Sequence, residues 1–263
     1  MKRIVFLKKI MPLFLVVFLF SCASKQDIVY YQNIDSIGQP ERSNSYEITV
    51  KPDDLLMIIV SAEDPEIAAP FNLTTVSVAN SANPTGTGIQ TMQSYLVNAQ
   101  GFIEFPVLGK LKVSGLTRTE IMHMLETKIL GYIKKPIINL RITNFKVSLQ
   151  GEVNVPGIYS VPSERVTLIE ALSEAKDLTI WGRRNNILII REVDGVKSYN
   201  RVDITKADFI NSPFYYLAQN DVVYVEPNKS RVNAAAVGAN TGVIISITSL
   251  FITVVTLIIS VTK

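Results

Sequence analysis

From Gly242 to Val261 the chain runs for 20 residues without a charged side chain. As a helix rising about 1.5 Å per residue, such a segment covers about 30 Å, the thickness of a bilayer's hydrocarbon core. The sequence therefore predicts a C-terminal membrane helix region over 232–262. Its small and hydroxylic residues are ordered. Gly242, Ser246, Ser249, Thr253, Thr256 and Ser260 follow one another at steps of three or four, which sets them in one stripe. Ile244, Ile245, Phe251, Ile252, Val255 and Ile258 occupy the other faces. Small residues let helices approach closely in lipid, and hydroxyls bond across helices or face water. The stripe thus predicts a helix self-packing or pore face. A plain anchor and a buried β-segment stay open as readings, while one segment cannot close a β-barrel.

The other end is also built for a membrane. Lys2, Arg3, Lys8 and Lys9 precede the apolar run Leu13 to Phe20, the layout of a secretory leader over residues 1–21. Cys22, the chain's lone cysteine, follows directly in Leu19-Phe20-Ser21-Cys22-Ala23-Ser24. This resembles the bacterial lipobox, which implies Cys22 as the lipid attachment site and acyl chains holding the mature protein on a membrane. No Asp follows Cys22, and in such lipoproteins that implies sorting to the outer membrane.

Charge and composition exclude several functions. The leader holds four of the 26 basic residues, which leaves 22 against 23 acids. A nucleic-acid binder needs a concentrated basic face, so no nucleic acid is expected as a partner. One Cys and one His exclude an intramolecular disulfide, a thiolate metal cluster and most zinc or haem sites, so no cofactor and no metal are expected.

Between 46 and 226 the chain alternates short apolar runs, Gly turns and brief helices. Leu55 to Val60, after Lys51-Pro52-Asp53-Asp54, reads as a buried strand. Residues 72–94, rich in Asn, Thr, Ser and Gly, read as an exposed inserted loop. From Tyr95 a strand, a Gly turn and further strands lead to Thr117 and Glu120, a capping box opening a helix that buries Ile121, Leu125 and Ile129. Ile138, Leu140 and Ile142 alternate in the next strand. A second unit repeats the order through Val147 to Val153, Pro156-Gly157 and the capping pair Thr167 and Glu170. Asp54 and Asp221 each lead from a turn straight into an apolar strand. Ile187 to Val193, Asp194-Gly195 and Val196 to Val202 form a hairpin. The fold expected is α+β: tandem small β-rich domains followed by one C-terminal transmembrane helix. The divisions are leader 1–21, linker 22–45, first domain 46–145, second domain 146–228 and helix region 232–262.

No catalytic constellation emerges, and the chain is not expected to be an enzyme. His123 stands alone on its helix. Asp53, Asp54, Glu63, Asp64 and Glu66 cluster in sequence, but turns explain them better than a glycosidase pair does. Tyr215, Tyr216 and Tyr224 could stack on sugar, though such rings more often fill a small core. Gly86 and Gly88 lack the following helix of a phosphate loop.

Three stretches in one order resemble the Wza-type outer-membrane polysaccharide export proteins. They are Tyr46-Glu-Ile-Thr-Val-Lys-Pro-Asp-Asp-Leu-Leu56, then Gly101-Phe-Ile-Glu-Phe-Pro-Val-Leu-Gly109 with Val113-Ser-Gly-Leu-Thr117, and then Val147-Ser-Leu-Gln-Gly-Glu-Val-Asn-Val-Pro-Gly-Ile-Tyr159 with Leu217-Ala-Gln-Asn-Asp-Val-Val-Tyr-Val225. The first two resemble the family's export domain and the third its β-grasp domain, SLBB. Asp53 stands where the family usually has Gly, and Asn98 where it often has Asp. The resemblance implies a lipid-anchored cyclic homo-oligomer, most of its mass periplasmic, passing polysaccharide cargo outward with an inner-membrane chain-length (co-polymerase) protein as partner. The rival reading is a membrane-anchored periplasmic glycan- or partner-binding lipoprotein without its own pore.

Overall fold

The computed structural model describes residues 25–36, 47–77, 89–193, 195–237 and 241–261. The first unit opens with β1 (Leu55–Ser61), α1 (Pro65–Ala68), β2 (Thr74–Ser77), β3 (Ile89–Met92), β4 (Tyr95–Leu96), β5 (Phe102–Phe105) and β6 (Gly109–Lys112). It closes with α2 (Arg118–Ile129) and β7 (Ile137–Ile142). β1 is the middle of an antiparallel sheet ordered β4-β1-β7, with Ile58 opposite Leu140. Its apolar run is uninterrupted, yet burial alternates: Leu56, Ile58 and Val60 face the core while Leu55, Met57 and Ile59 are half-covered. α2 starts at the predicted capping box, in which Thr117 accepts from Glu120 N and Glu120 accepts from Thr117 N. It buries Ile121, Leu125 and Ile129 completely against the sheet, each contributing about 1.5–3 kcal/mol of apolar burial.

The loop expected over 72–94 is corrected in part. β2 and β3 pair antiparallel, with Thr75 opposite Thr91, because Thr74, Thr75, Val76, Ile89 and Thr91 supply β-branched side chains that suit a pleated ladder. Gly86 and Gly88 lie outside the described residues.

Two turns account for the family-like motifs. Gly101 has φ +81°, and a Cβ there would meet Ser114 Cβ at 2.4 Å, so the β4–β5 turn requires glycine. Asn98, at the position where Asp is frequent, accepts from Gln100 N and Phe102 N with one side-chain oxygen. An amide oxygen does that as an aspartate would.

The second unit comprises β8 (Lys146–Gly151), β9 (Gly157–Ser160), β10 (Val166–Thr167), α3 (Leu168–Glu174), β11 (Gly182–Val193), β12 (Val196–Val202), β13 (Tyr216–Leu217) and β14 (Val222–Pro227). Its five-stranded sheet is ordered β12-β11-β14-β8-β9. Only the β14–β8 pair within it is parallel. The predicted hairpin forms with Val193 opposite Val196, and Thr167 and Glu170 form the second capping box. Leu149, Ile187, Ile189, Val223 and Val225 line a separate core with Leu168 and Leu172 of α3.

Within the expected linker 22–45, residues 25–36 are docked. Gln32 N donates to Thr205 O, Tyr30 donates its hydroxyl to Asp177 at 2.6 Å, and Asn33 accepts from Ala207 N. Residues 25–36 therefore strap onto the second unit, some 170 residues away along the chain.

Beyond β14 come α4 (Lys229–Val237) and α5 (Thr241–Val261). A helix thus forms where the uncharged run predicts one, yet among the described residues no helix is long and apolar enough to cross a membrane. The expected C-terminal transmembrane helix is corrected accordingly: the fold is α+β, with β-rich units followed by two helices.

Candidate functional site

The two units meet along a polar seam built on the three residues between β7 and β8. Asn144 accepts from Leu55 N and donates to Asp53 O, both at 2.9 Å. Gln219, from the second unit, donates to Asn144 O and accepts from Lys146 N. Lys51 extends across to Glu192 O at 3.0 Å.

Asp54 lies at this seam and is 1% exposed. Its Oδ2 accepts from Lys51 N at 2.8 Å, while its Oδ1 has no hydrogen-bond partner. Burial raises its pKa above the usual carboxylate value, against smaller lowering effects of the Lys51 N–H and of nearby Gln219. Gln219, whose amide donates to Asn144 O and accepts from Lys146 N, lies near Asp54, whose Oδ1 still has no hydrogen-bond partner.

Beside the seam opens a cleft of about 790 Å³. Its floor is apolar, with Ile48, Ile142 and Val161 packed on the second core. Its rim carries Arg118, Arg141, Arg165, Glu47 and Glu164. Arg118 pairs with Glu164 at 3.0 Å and donates to Leu140 O, and Glu47 accepts from the Thr119 hydroxyl. Arg141 and Arg165 have no carboxylate partner among the described residues. Arg165 instead sits over the ring of Tyr216, 5.4 Å from its centroid. Five of the lining side chains are charged and three carry hydroxyls, so the cleft surrounds its apolar floor with polar groups.

From Tyr216 the rings continue along the second unit. Tyr215 lies 5.0 Å away, Phe209 follows at 5.8 Å, Tyr31 stacks on Phe209 at 5.7 Å, and Tyr30 closes the series at 6.3 Å beneath Arg184. Tyr30, Tyr31, Tyr215 and Tyr216 are half-exposed. Burial raises the Tyr30, Tyr31 and Tyr215 hydroxyls above the usual phenol value, and Tyr31 and Tyr215 are close enough for Tyr215 to add to the Tyr31 shift.

The residues singled out in the sequence fall in different places. Cys22 lies outside the described residues. Gly242, Ser246, Ser249, Thr253 and Thr256 are exposed on α5, as is Ser260. Their hydroxyls are already engaged within the helix: Ser246 donates to Gly242 O, Ser249 to Ser246 O and Thr253 to Ser249 O at 2.7–2.9 Å, and Thr256 donates to Ile252 O. The stripe therefore offers close approach and acceptor lone pairs rather than free donors. His123 is exposed on α2. The five carboxylates are split by β1, with Asp53 and Asp54 before it and Glu63, Asp64 and Glu66 after it. A strand of that length separates them by about 20 Å, too far for a glycosidase pair. Asp64 caps α1 by accepting from Glu66 N. Tyr224 packs on β8 beside Gly151, where φ is +86° and a Cβ would meet Val225 O at 2.1 Å.

Sequence reasoning missed the cleft and the ring series. Arg141 could have been found as an outward position in the alternation of Ile138, Leu140 and Ile142. That it lines the same cleft as Arg165 depends on how the two units join, which no local pattern encodes.

Residues 42–143 match the family described as polysaccharide biosynthesis/export protein. The "EPS I polysaccharide export outer membrane protein EpsA" of Ralstonia solanacearum is 27% identical over 203 residues, which cover 75% of this chain and 52% of that protein. The protein of the same name from Ralstonia nicotianae is 30% identical over 142 residues, 52% of this chain and 37% of its own length. The chain thus spans about half the length of the curated relatives it matches, or less.

Proposed function

We propose, from the match of residues 42–143 to the family described as polysaccharide biosynthesis/export protein, that the chain is an outer-membrane component of a capsular or extracellular polysaccharide export channel. The family match carries the reading. The glycine-dependent turn at Gly101 and the Asn98 turn that precedes it supply its local geometry.

In this reading the protein is a lipoprotein held at the outer membrane through acylated Cys22, with units 46–145 and 146–228 in the periplasm. Copies assemble as a cyclic homo-oligomer, because closed symmetry gives every copy the same neighbours and leaves no contact surface bare. The exposed stripe from Gly242 to Ser260 on α5 is the element through which copies pack. The cargo is polysaccharide, and an inner-membrane chain-length protein delivers it.

The test is to replace Cys22 by Ala and, separately, Ser249 and Thr253 by Leu in the full chain. Cys22→Ala should abolish lipid labelling and outer-membrane retention. The double leucine variant should lower the mass of the detergent-extracted assembly and reduce polymer at the cell surface. Unchanged assembly mass together with unchanged surface polymer would remove the self-packing role and favour the lipoprotein without its own pore.

A further inference from the structure

Two guanidinium groups line one cleft with no carboxylate partner among the described residues, and one of them rests on the end of a row of half-exposed rings. Arg141 lies on β7 and Arg165 on the turn before β10, so each unit contributes one cation to the same cleft. Guanidinium groups stay charged at any physiological pH and match a carboxylate with two parallel donors. The third arginine, Arg118, is held by Glu164 at 3.0 Å and by Leu140 O. Ser163 and Thr143 donate their hydroxyls to Arg165 O and Leu55 O and so offer acceptor lone pairs at the rim, and Ile48, Ile142 and Val161 give an apolar floor. Beyond Arg165, Tyr216 and Tyr215 offer partly exposed ring surface and phenol edges. Apolar surface, acceptor oxygens and two cations with no carboxylate partner among the described residues together fit one ligand class, a sugar that bears a carboxylate.

We propose that this cleft binds an acidic saccharide unit, with Arg141 and Arg165 on its carboxylate and Tyr215 and Tyr216 against the adjoining sugar rings. The assignment rests on the export reading for the source of the saccharide, since it names the chemistry of the cargo. The cleft sets three arginines against two carboxylates, and Glu47, which accepts from the Thr119 hydroxyl, opposes an anionic ligand. Arg141 and Arg165 hold the ligand directly. Glu164 works against it, because the ion pair with Arg118 withholds a third cation.

The test is calorimetric titration of the full acylated chain in detergent micelles with tetragalacturonate and with the neutral maltotetraose. Tetragalacturonate should bind, more weakly as salt rises, and maltotetraose should not. Combined Arg141→Gln and Arg165→Gln should weaken tetragalacturonate binding at least about tenfold, the scale of lost charge-assisted hydrogen bonds. Both side chains are exposed, so the variant should melt as the wild type does. Glu164→Gln should tighten binding severalfold, a direction that a merely structural role would not produce. No binding of tetragalacturonate, equal binding of both sugars, or unchanged affinity in the arginine variant would overturn the assignment. Surface polymer measured after gene deletion reads the export claim separately. Export that depends on a protein with no tetragalacturonate binding ends the cleft proposal and leaves the export reading standing.

Discussion

Each unit enters a strand through the same turn, and the two turns solve the same problem differently. Asp53 and Asn220 both adopt left-handed backbone, at φ +69° and +66°. The next residue, Asp54 or Asp221, is buried, donates its N–H to the carbonyl three residues back, and accepts the N–H of that residue with its carboxylate. In the second unit Arg191 reaches over from β11 and binds Asp221 with Nε at 3.0 Å and Nη2 at 2.7 Å, while also donating to Tyr216 O. In the first unit no cation takes that place, and Asp54 Oδ1 is left bare at the seam with the second unit. One turn therefore hosts either a locked internal ion pair or a carboxylate whose charge is disfavoured. Local sequence decides the turn, and distant packing decides the fate of the charge.

The largest expected effect is at the paired site. Asp221→Ala leaves Arg191, 13% exposed, without its anion and leaves Ala218 N unsatisfied. It should cost about 3 kcal/mol in urea unfolding of the full chain, as expected for breaking a buried pair from one side. A loss below about 1 kcal/mol would mean that the two turns are energetically alike, since that is the worth of an ordinary hydrogen bond.

At Asp54 the expected effect has a pH signature. Burial raises its folded pKa above the unfolded value, so the folded state holds the proton more tightly. Stability from this group is fully present below the ordinary carboxylate pKa and declines as pH rises through the raised folded value. Asp54→Asn should match the wild type in acid and exceed it at neutral pH. Parallel melting curves at both pH values check this, and a variant less stable at neutral pH would show that the carboxylate is satisfied in some other way.

Smaller effects should be shared by the two units. Thr117→Ala and Thr167→Ala each remove a hydroxyl that caps a helix, and each should cost about 1 kcal/mol in unfolding free energy. Unequal costs would show that one unit's helix is held mainly by packing. Smallest of all, Asp53→Gly should stabilise by about 0.5 kcal/mol by relieving left-handed strain. It also removes a neighbouring negative charge that raises the Asp54 pKa, so it should shrink the pH dependence as well.

Features governed by neighbours in sequence were legible. Both capping boxes, the buried face Ile121, Leu125 and Ile129, the alternation of Ile138 and Leu140, and the Val193–Val196 hairpin follow from residue type and spacing. The echo between Asp54 and Asp221 was legible too, but its different electrostatics were not, because Arg191 lies 30 residues from Asp221. Residues 25–36 read as linker although Tyr30 and Tyr31 dock on Asp177 and Phe209, since nothing local tells an idle tyrosine from an anchored one. The Thr-rich flank of 72–94 hid a strand pair because polar composition masked its β-branched content. In α5 the residue spacing set out the stripe, whereas the bonding of its hydroxyls back onto the helix required coordinates. Of the candidate site, Arg141 and Arg165 were visible only as outward charges.

The central claim, that this chain works in polysaccharide export, is tested most directly by weighing polymer on both sides of the envelope after deleting and restoring its gene. The account predicts that deletion removes polymer from the cell surface while polymer still accumulates inside, and that the wild-type chain restores surface polymer. Undiminished surface polymer in the deletion strain would contradict it.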